Sequence, residues 1–332
     1  MNKVTRKDVA NYAGVSETIV SYVLNNNRYV EKQKRERVLE AVKVLGYTPN
    51  VIARSLRGKN GYHMLFIVDQ IENEHFGNLV KDMDTFSYEK GYLISLCSDR
   101  NDENFVNRIL SRHVDGIIIN SVSLSEHDIN RIINANIPVV LFMNFKYKNK
   151  FEEASRIYTG LFDGMKRATE LLIGKGCRNL IYIDRTSKHN NFSTNQDYRL
   201  SAFLDTVKRN ELEFDAERII TKCTSEEETM EQICTKIKNG LKVDGIVARN
   251  DNMAIVAMKA IRSIGLEAGK DIKVVGFDNS RLSRFVVPTL TTVEIQRKEI
   301  AKEAVDMLCN MISGGEPYEK FFITELIERE TT

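Results

Sequence analysis

Residues 4–25 read VTRKDVANYAGVSETIVSYVLN and predict two short helices joined by a tight turn. Thr5 is a favourable N-cap for the first helix, and Gly14 ends it because glycine adopts a positive φ without steric cost. Ser16 caps the second helix, which runs through Leu24. The residues expected to face the core are Val9, Ala10, Ala13, Val15, Ile19, Val20 and Val23. Two helices joined in this way form a helix-turn-helix, whose second helix fits the major groove of DNA.

A third helix is predicted from Lys32 to Leu45 and closed by Gly46, with an apolar stripe of Val38, Leu39, Val42 and Leu45. The chain around it is basic. Residues 1–60 carry 12 Lys and Arg against five Asp and Glu, a net charge of +7, whereas residues 61–332 carry 36 against 41, a net −5. A basic head on an acidic body is typical of a nucleic-acid-binding module joined to another domain, although a solvated surface helix gives the same local charge.

Composition bounds the other possibilities. A chain of 332 residues with 42% hydrophobic content is long enough for more than one domain. The cysteines lie far apart, so neither a disulfide framework nor a metal site is expected. The N-terminus lacks the apolar run of a signal peptide, and no stretch of about 18 apolar residues occurs. These features predict a cytoplasmic, nucleoid-associated protein without membrane contact.

The stretches VTRKDVANYAGVSETIVSYVLNNN, RERVLEAVKVLGYTPN and VIARSL resemble the DNA-binding head and hinge of the lactose-repressor (LacI/GalR) family of bacterial transcription regulators. The resemblance is dense over residues 4–57. It implies that the exposed face of the second helix contacts base edges and phosphates. The implied DNA contacts are Thr5, Arg6, Lys7, Ser16, Glu17, Thr18, Ser21 and Tyr22, with Asn25 and Tyr29 at the backbone or groove edge just beyond.

Two residues of the second helix depart from the family pattern. Ile19 and Tyr22 stand where the family often has Thr and Arg. Because arginine is the side chain best suited to bidentate contact with guanine, Tyr22 indicates a different or more degenerate operator half-site. Glu17 either accepts a hydrogen bond from cytosine N4 or repels phosphates, and the sequence favours neither.

Residues 48–57, TPNVIARSLR, form the predicted hinge. Pro49 biases Thr48 away from helix, and the residues after it have helical composition, but so short a helix needs a partner surface. The resemblance implies that this surface is DNA together with the hinge of a second subunit. Leu56 would then wedge between base pairs in the minor groove, near Asn50, Ala53 and Arg57. The alternative is a plain linker with Leu56 packed on a domain.

After residue 61, short apolar runs alternate with helical segments, which is typical of parallel sheets covered by helices. Strands are predicted at 63–68, 92–97, 116–120, 139–143, 179–183, 245–248 and 273–276, and helices at 77–90, 104–112, 163–173, 198–209 and 252–263. So many strands favour two similar halves, with a ligand cleft at the carboxyl ends of the strands.

The family resemblance continues through the body in stretches such as RHVDGIIIN, ATELLIGKG and DIKVVGFDNS. It implies a small all-α helix-turn-helix head on an α/β body of the type I periplasmic-binding-protein-like fold, with two doubly wound parallel-sheet subdomains. The implied divisions are a head of 1–47, a hinge and linker of 48–61 and an effector-binding and dimerisation domain of 62–332. Within the body, the first subdomain takes about 62–160 plus 293–320, and the second about 161–292 plus 321–332.

The effector contacts carried over by position are Phe76, Asn120, Arg199, Asn250 and Asp278. Their oxygens accept from hydroxyl pairs while arginine donates, which suits a sugar or nucleoside in a partly desolvated cleft. Two of them keep an alternative, Asn250 as a helix cap and Asp278 in an Asx-turn. The neighbouring His75 could stack on a ligand ring with Phe76, but it is expected to be a solvated loop residue.

Three polar positions of the family's pocket are altered. The sequence reads ENEHF at 72–76 where the family has Ser-Asn-Pro-aromatic, Met143 where an Asp is expected, and Gly160-Leu161 where Asp-Asn is expected. Either the effector is unusual, or the pocket is partly degenerate and another input controls the protein.

The sequence therefore predicts a homodimeric, operator-binding repressor controlled by a small, sugar-like effector, with carbohydrate metabolism as the regulated process. Phe76, Leu79, Val80 and Met83 recur at helical spacing and are predicted to contribute to the subunit contact, with some of them buried on the chain's own sheet. The alternatives are control by a partner protein and, from another class, a solute-binding transport protein, which the basic head disfavours. No G-x-G-x-x-G follows a strand and no P-loop occurs, so neither catalysis nor a cofactor or metal is expected.

Overall fold

The computed structural model describes residues 4–25, 28–47, 61–99, 102, 104–188 and 190–332. These residues belong to two compact units that divide between Gly61 and Tyr62, called here the head and the body. The predicted hinge contacts lie outside the described residues; they are Asn50, Ala53, Leu56 and Arg57.

Three helices form the head: α1 (Arg6–Ala13), α2 (Glu17–Asn25) and α3 (Lys32–Leu45). Thr5 caps α1 through reciprocal hydrogen bonds, since its Oγ1 accepts from the backbone N–H of Asp8 and its own N–H donates to the Asp8 carboxylate. Gly14 ends α1 with a φ of +62°, a conformation in which an L side chain is strained. Helix α1 therefore has the predicted ends, and α2 ends at Asn25, one residue beyond the predicted Leu24.

The head core takes one fully buried valine from each helix, Val9, Val20 and Val38. The prediction that Leu39 belongs to the buried stripe is wrong, because Leu39 is 48% exposed and Ala41 lies inside instead. The physical reason is the 3.6-residue repeat, which turns Leu39 about 100° away from Val38 while Ala41 returns to the same face.

The body contains two parallel sheets and a small antiparallel ribbon. Its described strands are β1 (His63–Val68), β2 (Leu93–Ser98), β3 (Gly116–Asn120), β4 (Val139–Phe142), β5 (Ser155–Tyr158), β6 (Leu180–Ile183), β7 (Ile219–Ile220), β8 (Gly245–Ala248), β9 (Lys273–Val275), β10 (Thr292–Ile295), β11 (Glu319–Phe321) and β12 (Thr324–Ile327). The first sheet has the order β11-β5-β4-β3-β1-β2 and the second β7-β6-β8-β9, while β10 pairs with β12. The first and second halves of the body are named after these two sheets.

Helices cover both sheets. Those described in the body are α4 (Glu74–Glu89), α5 (Phe105–Leu110), α6 (Glu126–Ile133), α7 (Leu161–Gly174), α8 (Tyr198–Arg209), α9 (Glu226–Lys238), α10 (Asp251–Ser263) and α11 (Arg297–Ile312). Strand β3 is buried along its whole length, as expected of a parallel strand with helices on both faces. Among the described helices, none has the length and apolar character needed to cross a membrane.

The end of the chain contributes to both halves. After β10, helix α11 packs on α4 in the first half, β11 pairs with β5 at the edge of the first sheet, and β12 returns to β10. This crossing places the ribbon between the two halves.

Helix α4 packs on its own half of the body. Leu79 and Met83 are fully buried in the core there, so burial within the chain's own half accounts for these two, as the sequence allowed for some of the four residues. Phe76 and Val80 pack partly buried against the same core.

Candidate functional site

Helix α2 presents a polar face on the side opposite the head core. Val20 and Val23 are buried, whereas Glu17 and Thr18 are exposed at the N-terminal end of the helix. The predicted contacts further along the helix are partly exposed; they are Ser21, Tyr22 and Asn25. The amide of Asn25 donates to the backbone oxygen of Ser21 at 2.7 Å, which orients that side chain along the helix.

The remaining predicted DNA contacts of the head lie at its surface. Ser16 is exposed at the start of α2, and Tyr29 is 93% exposed beyond its end. Lys7 is exposed and Arg6 partly exposed. Thr5 is committed to its cap, because its hydroxyl also donates to the Asp8 carboxylate at 2.6 Å.

One residue of this surface was missed from the sequence. The guanidinium of Arg28 lies over the ring of Tyr22, and its central carbon (Cζ) is 5.2 Å from the ring centre. Nη1 of Arg28 also donates a hydrogen bond to the Tyr22 hydroxyl at 3.4 Å. Arg28 follows the second helix instead of belonging to it, so helical spacing alone does not point to it.

The body has a cavity of about 110 Å³ between its halves, at the carboxyl ends of both parallel sheets. Its lining includes all five residues predicted as effector contacts: Phe76, Asn120, Arg199, Asn250 and Asp278. Strands of a parallel sheet all end at the same edge, so side chains far apart in the sequence converge there.

Arg199 and Asp278 form an ion pair in the second half, with Nη2 of the arginine 3.0 Å from Oδ1 of the aspartate. The guanidinium carbon of Arg199 also lies 4.6 Å from the centre of the Phe277 ring, within the range of a cation–π contact. Asp278 has a φ of +101°, a strained value for a residue with a side chain. Its backbone is held by a bond from its N–H to Val293 and one from Arg297 to its carbonyl oxygen.

His75 lies in the first turn of α4, and its side chain is only 13% exposed. The expectation of a solvated loop histidine is therefore wrong, because the opposite half of the body covers the ring. Its Nδ1 lies 3.9 Å from Oδ1 of Asp278 across the cavity. Burial lowers the pKa of His75 to about 4, with the positive charges of Arg199 and Arg297 acting in the same direction and Asp278 opposing them. The imidazole is neutral at neutral pH.

Asn250 is the helix cap that the sequence offered as one interpretation, and it also lies at the cavity. Its Oδ1 accepts from the N–H of Met253 at 3.0 Å and so caps α10. The same side chain lines the cavity. A cap at the carboxyl end of β8 thus leaves a polar group facing the cleft.

The altered positions of the pocket have structural reasons. Met143 is buried in the core of the first half, and Asn144 lines the cavity in its place, donating to Asn120 Oδ1 at 2.6 Å. Gly160 has a φ of +74°, and a Cβ on it would lie 2.8 Å from the carbonyl oxygen of Phe322. An aspartate at 160 does not fit this backbone, and Leu161 supplies an apolar wall.

A buried network of charges supports the second half of the cavity and was also missed from the sequence. Arg249 Nη1 lies 2.5 Å from Oδ2 of Asp197, and Arg185 Nη2 lies 3.3 Å from the same oxygen. Burial favours the neutral acid, but the positive charges of Arg249, Arg185 and Arg199 outweigh it and lower the pKa of Asp197. Arg185 and Arg249 follow the ends of β6 and β8, and that position was the signal available in the sequence.

Several direct contacts join the two halves across the cavity. Asn191 donates to Ser123 Oγ at 2.6 Å, and Nη1 of Arg185 lies 3.8 Å from the carboxylate of Asp69. The backbone N–H of Lys146 also donates to the carbonyl oxygen of Gln196 at 2.9 Å. The described halves are therefore in direct contact around the cavity.

Two family models match the chain. The model of bacterial regulatory proteins of the lacI family matches residues 5–50, and the periplasmic binding protein-like domain matches residues 169–332. The chain is 29% identical to the HTH-type transcriptional repressor PurR of Histophilus somni, over 98% of both chains. It is also 29% identical to the ribose operon repressor of Halalkalibacterium halodurans, over 99% of this chain and 97% of that protein.

The structure is similar to a solved regulator over its whole length. The match to the lac repressor dimer bound to operator and the anti-inducer ONPF has a TM-score of 0.84 and 25% identity. It covers 100% of this chain and 99% of that one. The similarity therefore includes both the matched head and the body that holds the cavity.

Proposed function

Since this chain belongs to the lacI family of bacterial regulatory proteins and is a DNA-binding transcriptional repressor, we propose that it acts as a homodimer whose cleft ligand sets its affinity for a pseudo-palindromic operator. One recognition helix gives little specificity, whereas two helices related by a two-fold axis read two half-sites. The observation that carries the proposal is the Arg199–Asp278 pair, which lines a cavity between two halves in a chain that also carries a DNA-reading head.

The proposed effector is a small, hydroxyl-rich molecule, a sugar or a sugar derivative. A carboxylate and an arginine 3.0 Å apart accept from and donate to neighbouring hydroxyls, and Asn120, Asn144 and Asn250 add amide groups to the same lining. Phe76 provides an apolar face for a ring. A role in carbohydrate metabolism is consistent with the ribose operon repressor among the relatives.

The proposed coupling runs through the contact between the halves. A ligand that binds better when the halves are closed shifts the body towards that arrangement, and the hinge at 48–61 transmits the difference to the DNA-bound heads. Such coupling is typically about 1 to 3 kcal/mol, and it acts equally from DNA on ligand. We assign this chain no catalytic step.

The second subunit is proposed to pack on an apolar loop of the body. Leu282, Phe285 and Val287 are 54%, 69% and 84% exposed and follow one another after β9. Exposed apolar residues grouped in this way are typical of a protein interface. The likeness to a repressor solved as a dimer supports a second copy of the chain as the partner.

The effector function is tested on the full-length protein. A duplex selected from a random library is titrated by fluorescence anisotropy with and without each of a panel of sugars and phosphosugars, and a thermal-shift screen is run in parallel. We expect one compound both to raise the melting temperature and to change operator affinity. Operator binding that no compound changes would instead support a degenerate pocket or control by a partner protein.

The head and hinge are tested separately. A chain lacking residues 1–60 is expected to lose DNA binding and remain a folded dimer, whereas an unfolded remainder would contradict the domain division. In the full chain, Leu56→Ala is expected to weaken operator binding and reduce DNA bending, because an apolar wedge in the minor groove kinks the duplex. An unchanged bend angle would reject the wedge.

A further inference from the structure

The recognition helix has lost the arginine that the family often places at position 22, yet the head keeps a guanidinium beside that position. The guanidinium carbon of Arg28 (Cζ) lies 5.2 Å from the centre of the Tyr22 ring, and Nη1 of Arg28 donates to the Tyr22 hydroxyl at 3.4 Å. Tyr22 is partly buried in α2, whereas Arg28 is exposed. The tyrosine is therefore a platform on which an exposed cation rests.

The platform lies on the face of α2 that points away from the head core. Thr18, Tyr22 and Asn25 follow one another at helical spacings of four and three residues, so they share one face. Val20 and Val23 occupy the buried face. A guanidinium held over Tyr22 is thus carried with the side of the helix that enters the major groove in helix-turn-helix proteins.

Stacking on a ring suits arginine for reading a base. The planar guanidinium keeps its outer N–H groups available while one face rests on the aromatic ring, and the contact limits the number of side-chain conformations. Two parallel donors from one guanidinium match the O6 and N7 acceptors of guanine in the major groove.

We propose that Arg28, positioned by Tyr22, is the guanine-reading residue of this head. The pair takes the place of an arginine on the recognition helix, so the half-site is specific at one G·C pair instead of degenerate there. Arg28 makes the base contact, and Tyr22 is a positioning residue. The proposal rests on the DNA-binding function described above.

The test uses the full-length protein and a randomised symmetric duplex library. Wild type, Arg28→Lys, Arg28→Ala, Tyr22→Phe and Tyr22→Ala are each used to select duplexes, which are then sequenced. Affinities are measured for the wild-type consensus and for the same duplex with one symmetric G·C pair replaced. Arg37→Lys, at an exposed arginine of α3, is the matched control.

We expect wild type and Arg37→Lys to select a guanine at one position of each half-site. In both Arg28 variants, the preference for guanine over the other bases at that position is expected to fall by about tenfold or more, while the preferences at the other positions stay unchanged. Tyr22→Phe keeps the platform and should retain most of the preference, whereas Tyr22→Ala should lose it while circular dichroism stays that of the wild type.

Two results would overturn the assignment. If the Arg28 variants select the wild-type motif, Arg28 does not read a base. If Arg28→Ala weakens binding equally on every duplex, and if the slope of log affinity against log salt concentration falls by about the amount expected for one phosphate contact, Arg28 contacts the DNA backbone instead of a base. A wild-type protein that selects no motif would overturn specific operator binding itself, and this inference with it.

Discussion

Nδ1 of His75 lies 3.9 Å from Oδ1 of Asp278, so the first turn of α4 in one half of the body meets the loop after β9 in the other. The aspartate is already paired with Arg199, and the imidazole is neutral. The contact places a titratable ring where the two halves meet, and it makes the stability of the body depend on pH in a definite direction.

The wild type is expected to lose folding stability in acid because of His75, and His75→Phe is expected to lose less. The pKa of His75 falls from 6.5 to about 4 on folding, so the unfolded chain binds the proton more readily between these values. The contribution to stability is therefore fully present above pH 6.5 and is lost as the pH falls towards 4, by about 3 kcal/mol in all. Urea unfolding between pH 7.5 and 4.5 measures it.

The comparison between variants isolates this residue. Asp251 has a pKa raised by burial to about 7, which acts in the opposite direction, but it is present in both proteins and cancels in the difference. His127→Phe, at an exposed histidine of α6, is the matched control. Equal pH dependence in wild type and His75→Phe would show that the ring is solvated.

Arg199→Ala is expected to destabilise the body and abolish the effector response. It leaves the Asp278 carboxylate, 10% exposed, without its guanidinium, and breaking a buried pair in this way costs about 3 to 5 kcal/mol. Arg209→Ala on the same helix removes a pair with Asp205 in which the arginine is 68% exposed, and should cost less than about 1 kcal/mol. Chemical denaturation compares the two, and similar losses would contradict the buried pair.

Alanine at Gly160 and at Gly174 is expected to have opposite effects. At Gly160, alanine is expected to lower folding stability by about 1 to 3 kcal/mol, because the backbone is left-handed there and the new Cβ would lie 2.8 Å from the carbonyl oxygen of Phe322. At Gly174, the last residue of α7, a new Cβ would meet no atom within 4 Å outside its own turn of helix, so alanine should stabilise the helix, by at most about 1 kcal/mol. Thermal unfolding of both variants provides the measurement; equal effects would mean that Gly160 is not required by its backbone.

Val287→Asp is expected to produce a monomer. Val287 is 84% exposed in the apolar loop proposed as the subunit contact, and a carboxylate there would be desolvated on association. Light scattering should give the mass of one 38.0 kDa chain. Ile323→Asp, at a 68% exposed residue between β11 and β12, is expected to leave the dimer intact. Dissociation by both changes, or by neither, would move the contact elsewhere.

Much of the body could be predicted from local pattern. Strands β1, β3 and β8 have the bounds that their continuous apolar runs predict, because buried parallel strands are apolar on both faces. Strand β5 was missed since its sequence, SRIY, alternates buried and partly exposed residues. Strand β7 is only two residues long, too short for any periodicity.

Local spacing in the sequence is sufficient to predict the helix-turn-helix and the alternation of strands and helices, because it records which face of each element is apolar and where each element stops. The five predicted residues that line one cavity came from the family resemblance, position by position. The tertiary contacts were needed to show that His75 is buried against Asp278, that Asn144 lines the cavity while Met143 lies in the core, and that Arg28 rests on Tyr22. These contacts depend on which elements meet and at what angle, and no single segment of the chain contains that information.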